Sequence, residues 1–261
     1  MMGKNVFFLF LLLLFGCNAF GQQAPLHQYA DHWNSWLMYF GGHKISPVWG
    51  IHLEAQYRRS KLFSAPQQVL LRTGINYHFK NNMVMATAGY AFIETHPYGD
   101  FPARSTFPEH RLWEQIQIKT PLAPFEWVSR FRLEQRFSNL PVINTTSGIY
   151  APGDAVYTNR FRLLNRFSLP FKGKAIVDKT FYITMYDEFM LNFGKNVAAN
   201  IFDQNRLYFA LGYQIPGIGK LEAGYLSQII QKPDGVKIER NHTLQMGLTS
   251  TVPFFHAKEG R

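Results

Sequence analysis

The sequence runs to 261 residues with a formal net charge of +10, a length that suits one large domain or two small ones. Aromatic residues make up 16%, which excludes intrinsic disorder, while charged residues make up only 17% against the about 25% usual in soluble domains. Beyond the N-terminus no stretch approaches the ~20 apolar residues of a spanning helix, which excludes a helical membrane bundle.

The chain opens as an export address. Met1-Met2-Gly3-Lys4 is a short cationic start, Val6 to Phe15 is an almost unbroken apolar run, and Ala19-Phe20-Gly21 offers small residues at the −3 and −1 positions of a signal-peptidase site. Residues 1–21 are therefore expected to be a cleaved secretory signal. An alternative reads Leu14-Phe15-Gly16-Cys17 as a lipoprotein signal with Cys17 acylated, which the bulky Phe15 fits poorly. Cys17 is the only cysteine, so ordinary cleavage leaves no disulfide framework and no cysteine-based metal site.

An N-terminal segment, 22–32, leads into the main domain at 33–255, with a tail at 256–261. From Trp33 onward the chain repeats one pattern, about ten residues alternating polar with apolar and then a turn. In chain order the expected strands are Trp33–Phe40, Trp49–Arg58, Gln68–Phe79, Met83–Glu94, Glu109–Lys119, Trp127–Phe137, Asn159–Phe167, Phe181–Phe193, Asn205–Gln214, Lys220–Ile230 and Asn241–Phe254. Trp127 to Phe137 shows the pattern best: Arg130, Arg132, Glu134 and Arg136 fall on one face, Phe131, Leu133 and Phe137 on the other. A helix would scatter those charges around its circumference, whereas a period of two collects them on one side.

A soluble secreted β-sandwich or lipocalin-like binding protein is one reading of this pattern. Three features favour an inverted arrangement, with the apolar face toward lipid. Aromatics gather near strand ends as a girdle would (Trp33, Trp36, Tyr39, Trp49, Trp127, Phe254, Phe255). Connections alternate between tight (Lys80-Asn81-Asn82, Pro121–Phe125, Pro216–Gly219) and long (His96–Pro108, Ser138–Ala155, Lys195–Gln204). The last strand closes on Thr251-Val252-Pro253-Phe254-Phe255, similar to the terminal aromatic signal of outer-membrane barrels, with Pro253 and the trailing residues as departures. The expected fold is thus all-β, an antiparallel up-and-down transmembrane barrel. Single-chain bacterial barrels have even strand numbers, so the eleven candidates are read as about twelve, with one more strand in Gln22–Asp31, or as ten.

Glu109-His110-Arg111-Leu112-Trp113-Glu114-Gln115, Arg132-Leu133-Glu134-Gln135-Arg136-Phe137, Asp187-Glu188, Asp203-Gln204-Asn205-Arg206-Leu207 and Leu221-Glu222-Ala223-Gly224-Tyr225-Leu226 together resemble an uncharacterised group of secreted Gram-negative proteins. That group is catalogued as a domain of unknown function and taken to be outer-membrane barrels. The resemblance spans roughly Trp33 to Phe255 and implies a barrel in the bacterial outer membrane; it brings no activity and no catalytic residue.

Extending the alternation, the lumen collects Arg58, Arg72, Arg111, Arg130, Arg132, Arg136, Arg160, Arg162, Arg166 and Arg206 against Glu54, Glu134, Glu188 and Glu222, with Gln115, Gln117, Asn76, Tyr186 and Gln245 between them. Centring the turns puts Arg111 opposite Glu134 and Arg162 opposite Glu188, pairs that attract across strands. Such a lumen is either a structural, plugging network or a narrow anion-favouring pore. Twelve strands ~4.8 Å apart and tilted ~40° give a backbone radius of roughly 12 Å, which arginines reaching about 6 Å inward all but fill.

No enzyme is expected. The weaker alternative is a lipid hydrolase: a two-residue turn at Asp234-Gly235 would set Ser227 opposite His242 on the lipid side, a nucleophile and a base, with no orienting Asn or Asp to assign. No metal site and no cofactor are indicated. The expected partners are outer-membrane lipids, the barrel-assembly machinery and small anions. Nucleic acid is not among them, because the basic residues are interleaved on barrel faces rather than clustered.

Overall fold

Residues 27–79 and 82–255 are described by a computed structural model. The signal sequence expected at 1–21, Cys17 and the tail at 256–261 lie outside the described residues. The strands are β1 (Gln28–Lys44), β2 (Trp49–Ser60), β3 (Ala65–His78), β4 (Val84–Thr95), β5 (Phe107–Leu122), β6 (Phe125–Ser138), β7 (Pro141–Ile143), β8 (Tyr150–Pro152), β9 (Val156–Pro170), β10 (Phe181–Phe193), β11 (Phe202–Ile215), β12 (Gly219–Gln231) and β13 (Lys237–Ser250). No α-helix occurs among the described residues.

Eleven of these strands close into one barrel in the order β1-β13-β12-β11-β10-β9-β6-β5-β4-β3-β2, while β7 and β8 form a small separate hairpin. Each expected strand appears, most lengthened by a few residues. Two expectations are corrected. The number is eleven rather than twelve or ten, because β1 and β13 pair in parallel, from Gln28↔Lys237 to Gly41↔Ser250. An odd number of alternating strands makes the first and last run the same way, and the closure is therefore mixed rather than wholly antiparallel. No additional strand lies in the described part of Gln22–Asp31; residues from Gln28 onward are the start of β1. The closed barrel also excludes a two-sheet sandwich.

The last strand ends four residues earlier than expected. After Ser250 the chain leaves the ladder and folds along the end of β1: Phe254 donates its backbone N–H to Lys44 at 2.8 Å, and its ring stacks on His43 at 4.1 Å. Pro253 has no N–H to offer a ladder, which accounts for the early stop.

The connections 61–64, 96–106, 139–155, 194–201 and 232–236 lie at one end, the loop end. The connections 45–48, 79–83, 123–124, 171–180 and 216–218 lie at the other, the turn end. All three long connections expected from sequence fall at the loop end, though 171–180 gives the turn end a long connection of its own.

Eleven strands ~4.8 Å apart and tilted ~40° give a backbone radius of roughly 11 Å. That lumen is filled by side chains, large against small. Trp113 is accommodated by a glycine pair, Gly74 opposite Gly89 on β3 and β4; a Cβ on Gly74 would lie 3.0 Å from the indole, and one on Gly89 2.1 Å from the Thr73 carbonyl. Tyr182 fills the space left by Gly212 on the adjacent strand. Among the described residues, most buried side chains are polar or charged, around two small apolar clusters at Trp113 and Trp36. Glu134, Glu188, Glu239, Arg132, Asn34 and Thr243 are almost wholly buried, while Leu71, Ile75, Leu112, Ile116, Phe131, Phe209, Leu211 and Met246 lie open on the outside. Trp33, Trp49 and Phe254 are on that outer wall, but Trp36, expected in the aromatic girdle, points into the lumen and is 1% exposed.

Candidate functional site

The lumen is the place where chemically demanding side chains converge. On β6 the alternation of Arg130, Arg132, Glu134 and Arg136 aims all four inward, and β9 alongside supplies Arg160, Arg162 and Arg166, with Arg132↔Arg162 and Glu134↔Arg160 in register. Like charges set directly opposite repel, and the carboxylates resolve this by reaching diagonally. Glu134, fully buried, lies 2.7 Å from Arg162, 3.2 Å from Arg72 and 3.3 Å from Arg111, with Arg132 and Arg160 at 3.9 Å. Glu188 on β10 takes Arg130 and Arg162 at 2.7 Å and Arg206 at 3.5 Å. Glu54 takes Arg72 at 2.7 Å. Near the turn end Glu222 on β12 accepts from Arg166 on β9 and from Tyr182 at 2.7 Å.

The eleven residues assigned to a lumen network all face inward, and nine of them are linked through Glu134, Glu188 and Glu109, while Arg166 and Glu222 form a separate pair near the turn end. The two specific pairings form, Arg111 with Glu134 and Arg162 with Glu188, but along diagonals. The actual registers set Arg111 opposite Arg136 and Arg162 opposite Met190.

Three further carboxylates belong to the lumen: Glu109, held by Arg136 at 2.7 Å and Arg111 at 2.5 Å; Asp203, 2.8 Å from Arg160; and Glu239, 2.7 Å from Lys232. Two aromatic platforms complete the wall. Arg58 and Arg206 lie 3.9 and 5.2 Å from the Trp36 ring centre, and Arg132 and Arg72 lie 4.7 and 5.3 Å from that of Trp113.

This network divides the lumen. A chamber of about 510 Å³ opens toward the loop end and one of about 300 Å³ toward the turn end, and Gln56, Arg72, Arg162 and Arg206 border both. Those side chains, tied to Glu54, Glu134 and Glu188, form an ionic septum at mid-height. Over the loop-end chamber, segment 96–106 reaches to the far wall: Tyr98 donates to Glu239 of β13 at 3.0 Å, and the Asp100 backbone N–H donates to His32 of β1 at 3.3 Å. Burial and the neighbouring Glu239 carboxylate push the Tyr98 phenol well above its ordinary range, so it stays a donor.

On the outer wall Ser227 and His242 are direct cross-strand partners, as the Asp234-Gly235 turn predicts. The parallel seam brings Asp31 of β1 beside them. The imidazole is otherwise engaged: Nδ1 is hydrogen-bonded to Tyr225 at 2.5 Å, Nε2 lies 3.7 Å from Asp31, and Trp33 stacks on the ring at 5.1 Å. Among the described residues Ser227 makes no side-chain hydrogen bond, and no group of three His, Cys, Asp or Glu converges as a metal site.

The comparison that decides kinship is with protein families. Residues 33–239 match the family described as Protein of unknown function (DUF2490). The chain belongs to that family. Its matched span runs from the middle of β1 to the start of β13 and takes in nearly all of the barrel. Neither the curated proteins nor the solved structures contain a match to this chain.

Proposed function

We propose that this DUF2490 protein is an outer-membrane β-barrel of a Gram-negative bacterium whose lumen is closed at mid-height by its ionic septum. The observation that carries the reading is the inversion of the molecule: ionised groups are buried inside and large apolar side chains are exposed outside. In water that outer wall would be an apolar surface far beyond the few hundred Å² that a soluble monomer exposes. In lipid it is the low-energy surface.

The dimensions agree. Strands of 12–17 residues rise roughly 30–43 Å along a barrel tilted ~40°, enough for the apolar band of about 25 Å with overhang at both ends. The closed backbone ladder leaves no unpaired sheet edge to face hydrocarbon. The N-terminal export signal read from residues 1–21 supplies the route, and lipids and the barrel-assembly machinery are the corresponding partners.

The septum favours a closed barrel over a narrow pore. Each guanidinium in it is tied to carboxylates on other strands, so an ion must break buried, mutually supporting pairs to pass. The reading is tested by recording folded protein in a planar bilayer under asymmetric salt. No resolved conductance steps are expected; reproducible small steps with anion preference would replace the closed lumen by an arginine-lined pore.

The protein acts without catalysis on this reading, because the His242 ring is engaged by Tyr225, Asp31 and Trp33 and, among the described residues, Ser227 makes no side-chain hydrogen bond to it. Purified protein and Ser227→Ala are expected to release fatty acid from phospholipid vesicles equally, at the background rate. Release by the native protein that the substitution abolishes would overturn this.

A further inference from the structure

We propose that the loop-end chamber is a binding site for a small phosphate-bearing solute, with the anionic group seated at Arg58 and Arg206 beside Trp36. The inference rests on the septum only in that a closed floor makes the chamber a site and not the mouth of a pore.

Arg58 is the observation to explain. It is 8% exposed, yet among the described residues it has no ion pair to a carboxylate. Nε donates to Gln56 at 3.0 Å, Nη2 donates to the same Gln56 oxygen, Nη1 donates to Gln68 at 2.6 Å, and the guanidinium lies on the Trp36 ring, so that every partner is neutral. Neutral amides and an aromatic face stabilise a buried cation only partly. The other lumen arginines are gathered around carboxylates. A guanidinium left with neutral partners at the edge of a cavity is an unfilled anion site, and its planar fork suits a phosphate.

The surroundings are built rather than incidental. Arg206 faces the same indole, and its remaining donors meet Gln204 and Gln228. Two β-bulges aim additional side chains into this chamber. At the Arg58/Arg59 register shift Gln67 is the extra residue, and it accepts from the Trp36 indole N–H at 2.9 Å. At the Met190/Leu191 shift Asp203 is the extra residue, and it pairs with Arg160. Bulges that re-aim side chains concentrate beside functional sites. The chamber volume of about 510 Å³ falls within the ordinary range for small-molecule sites and exceeds what inorganic phosphate alone would fill. The amide fringe of Gln68, Asn192 and Gln228 suits the hydroxyl groups of a phosphorylated sugar or polyol.

The test is calorimetric titration of the folded full-length protein in detergent with glucose 6-phosphate, glucose, inorganic phosphate and succinate. Saturable one-site binding of glucose 6-phosphate is expected, weaker binding of inorganic phosphate, and none of glucose. Arg58→Gln and Arg206→Gln should each weaken binding at least tenfold. Arg58→Gln should fold as well as the native protein, since it removes a cation with no carboxylate partner, and heat-modified gel mobility checks this. Absence of saturable binding by the native protein, binding of glucose equal to that of its phosphate, or unchanged affinity in a folded Arg58→Gln variant would each overturn the proposal. A conducting barrel would overturn the closed lumen and leave the binding result to stand on its own.

Discussion

Glu134 is the residue on which the lumen turns. Among the described residues it is the carboxylate with the most arginine neighbours, and it has no exposed surface. Breaking a buried ion pair by removing one partner costs ~3–5 kcal/mol, since the remaining charges stay desolvated. Glu134→Gln is therefore expected to destabilise the barrel by about that much in urea unfolding from detergent. Glu126→Gln, which removes a half-buried and partly solvated pair with Lys220 at the turn end, should cost only about 1 kcal/mol. Equal effects would mean that the septum contributes no more than a surface contact.

The inward arginines are legible in the sequence because a period of two carries them, and Glu109 and Glu239 are in phase with Arg111 and Asn241 and could have been read the same way. Asp203 could not. A bulge shifts the phase between it and Arg206, and nothing in the local composition marks the bulge. Trp36 misled for a different reason: an aromatic near a strand end suits an interfacial girdle as well as a lumen platform, and only its neighbours Arg58 and Gln67 decide between them.

At the scale of elements, faces were easier to read than registers. Turn-centred pairing placed β5 on β6 and β9 on β10 with an offset of two residues, which keeps every side chain on its proper face; an offset of one would have reversed them all. Ion pairs survive the error because an arginine spans the diagonal to its neighbour's carboxylate.

The parallel β1–β13 seam is not legible in the sequence, because the even strand number usual in bacterial barrels implies an antiparallel closure. It is directly testable, since Leu37 pairs with Met246 and both face outward. A Leu37→Cys/Met246→Cys double variant should be closed efficiently by a short thiol cross-linker. Leu37→Cys with Met185→Cys, on a strand elsewhere in the barrel, should not. Failure of the first pair in folded protein would mean that the barrel closes in another register.

At the scale of the whole molecule, buried charge and exposed apolar surface are two aspects of one arrangement, and the proposed membrane setting accounts for both. Leu71→Arg, in the middle of the outer wall, is expected to destabilise protein folded into vesicles by ~2–4 kcal/mol, the depth-dependent penalty for a cation near the bilayer midplane. In a water-facing barrel the same change would cost almost nothing.

The most direct test of a lipid-facing wall is a nitroxide scan along β4, a strand whose side chains stay clear of the arginine–carboxylate septum. Single cysteines at 85 to 88 and 90 to 92, leaving out Gly89 where a side chain would clash with the Thr73 carbonyl, spin-labelled and reconstituted into vesicles, would be probed with oxygen and with a water-soluble nickel chelate. Oxygen accessibility should alternate with a period of two, high at Ala86, Ala88, Tyr90 and Phe92 and low at Met85, Thr87 and Ala91. The chelate should reach neither set in the middle of the strand. Chelate accessibility at Ala86, Ala88 and Tyr90 equal to that of a loop residue would place the wall in water and contradict the membrane-embedded barrel.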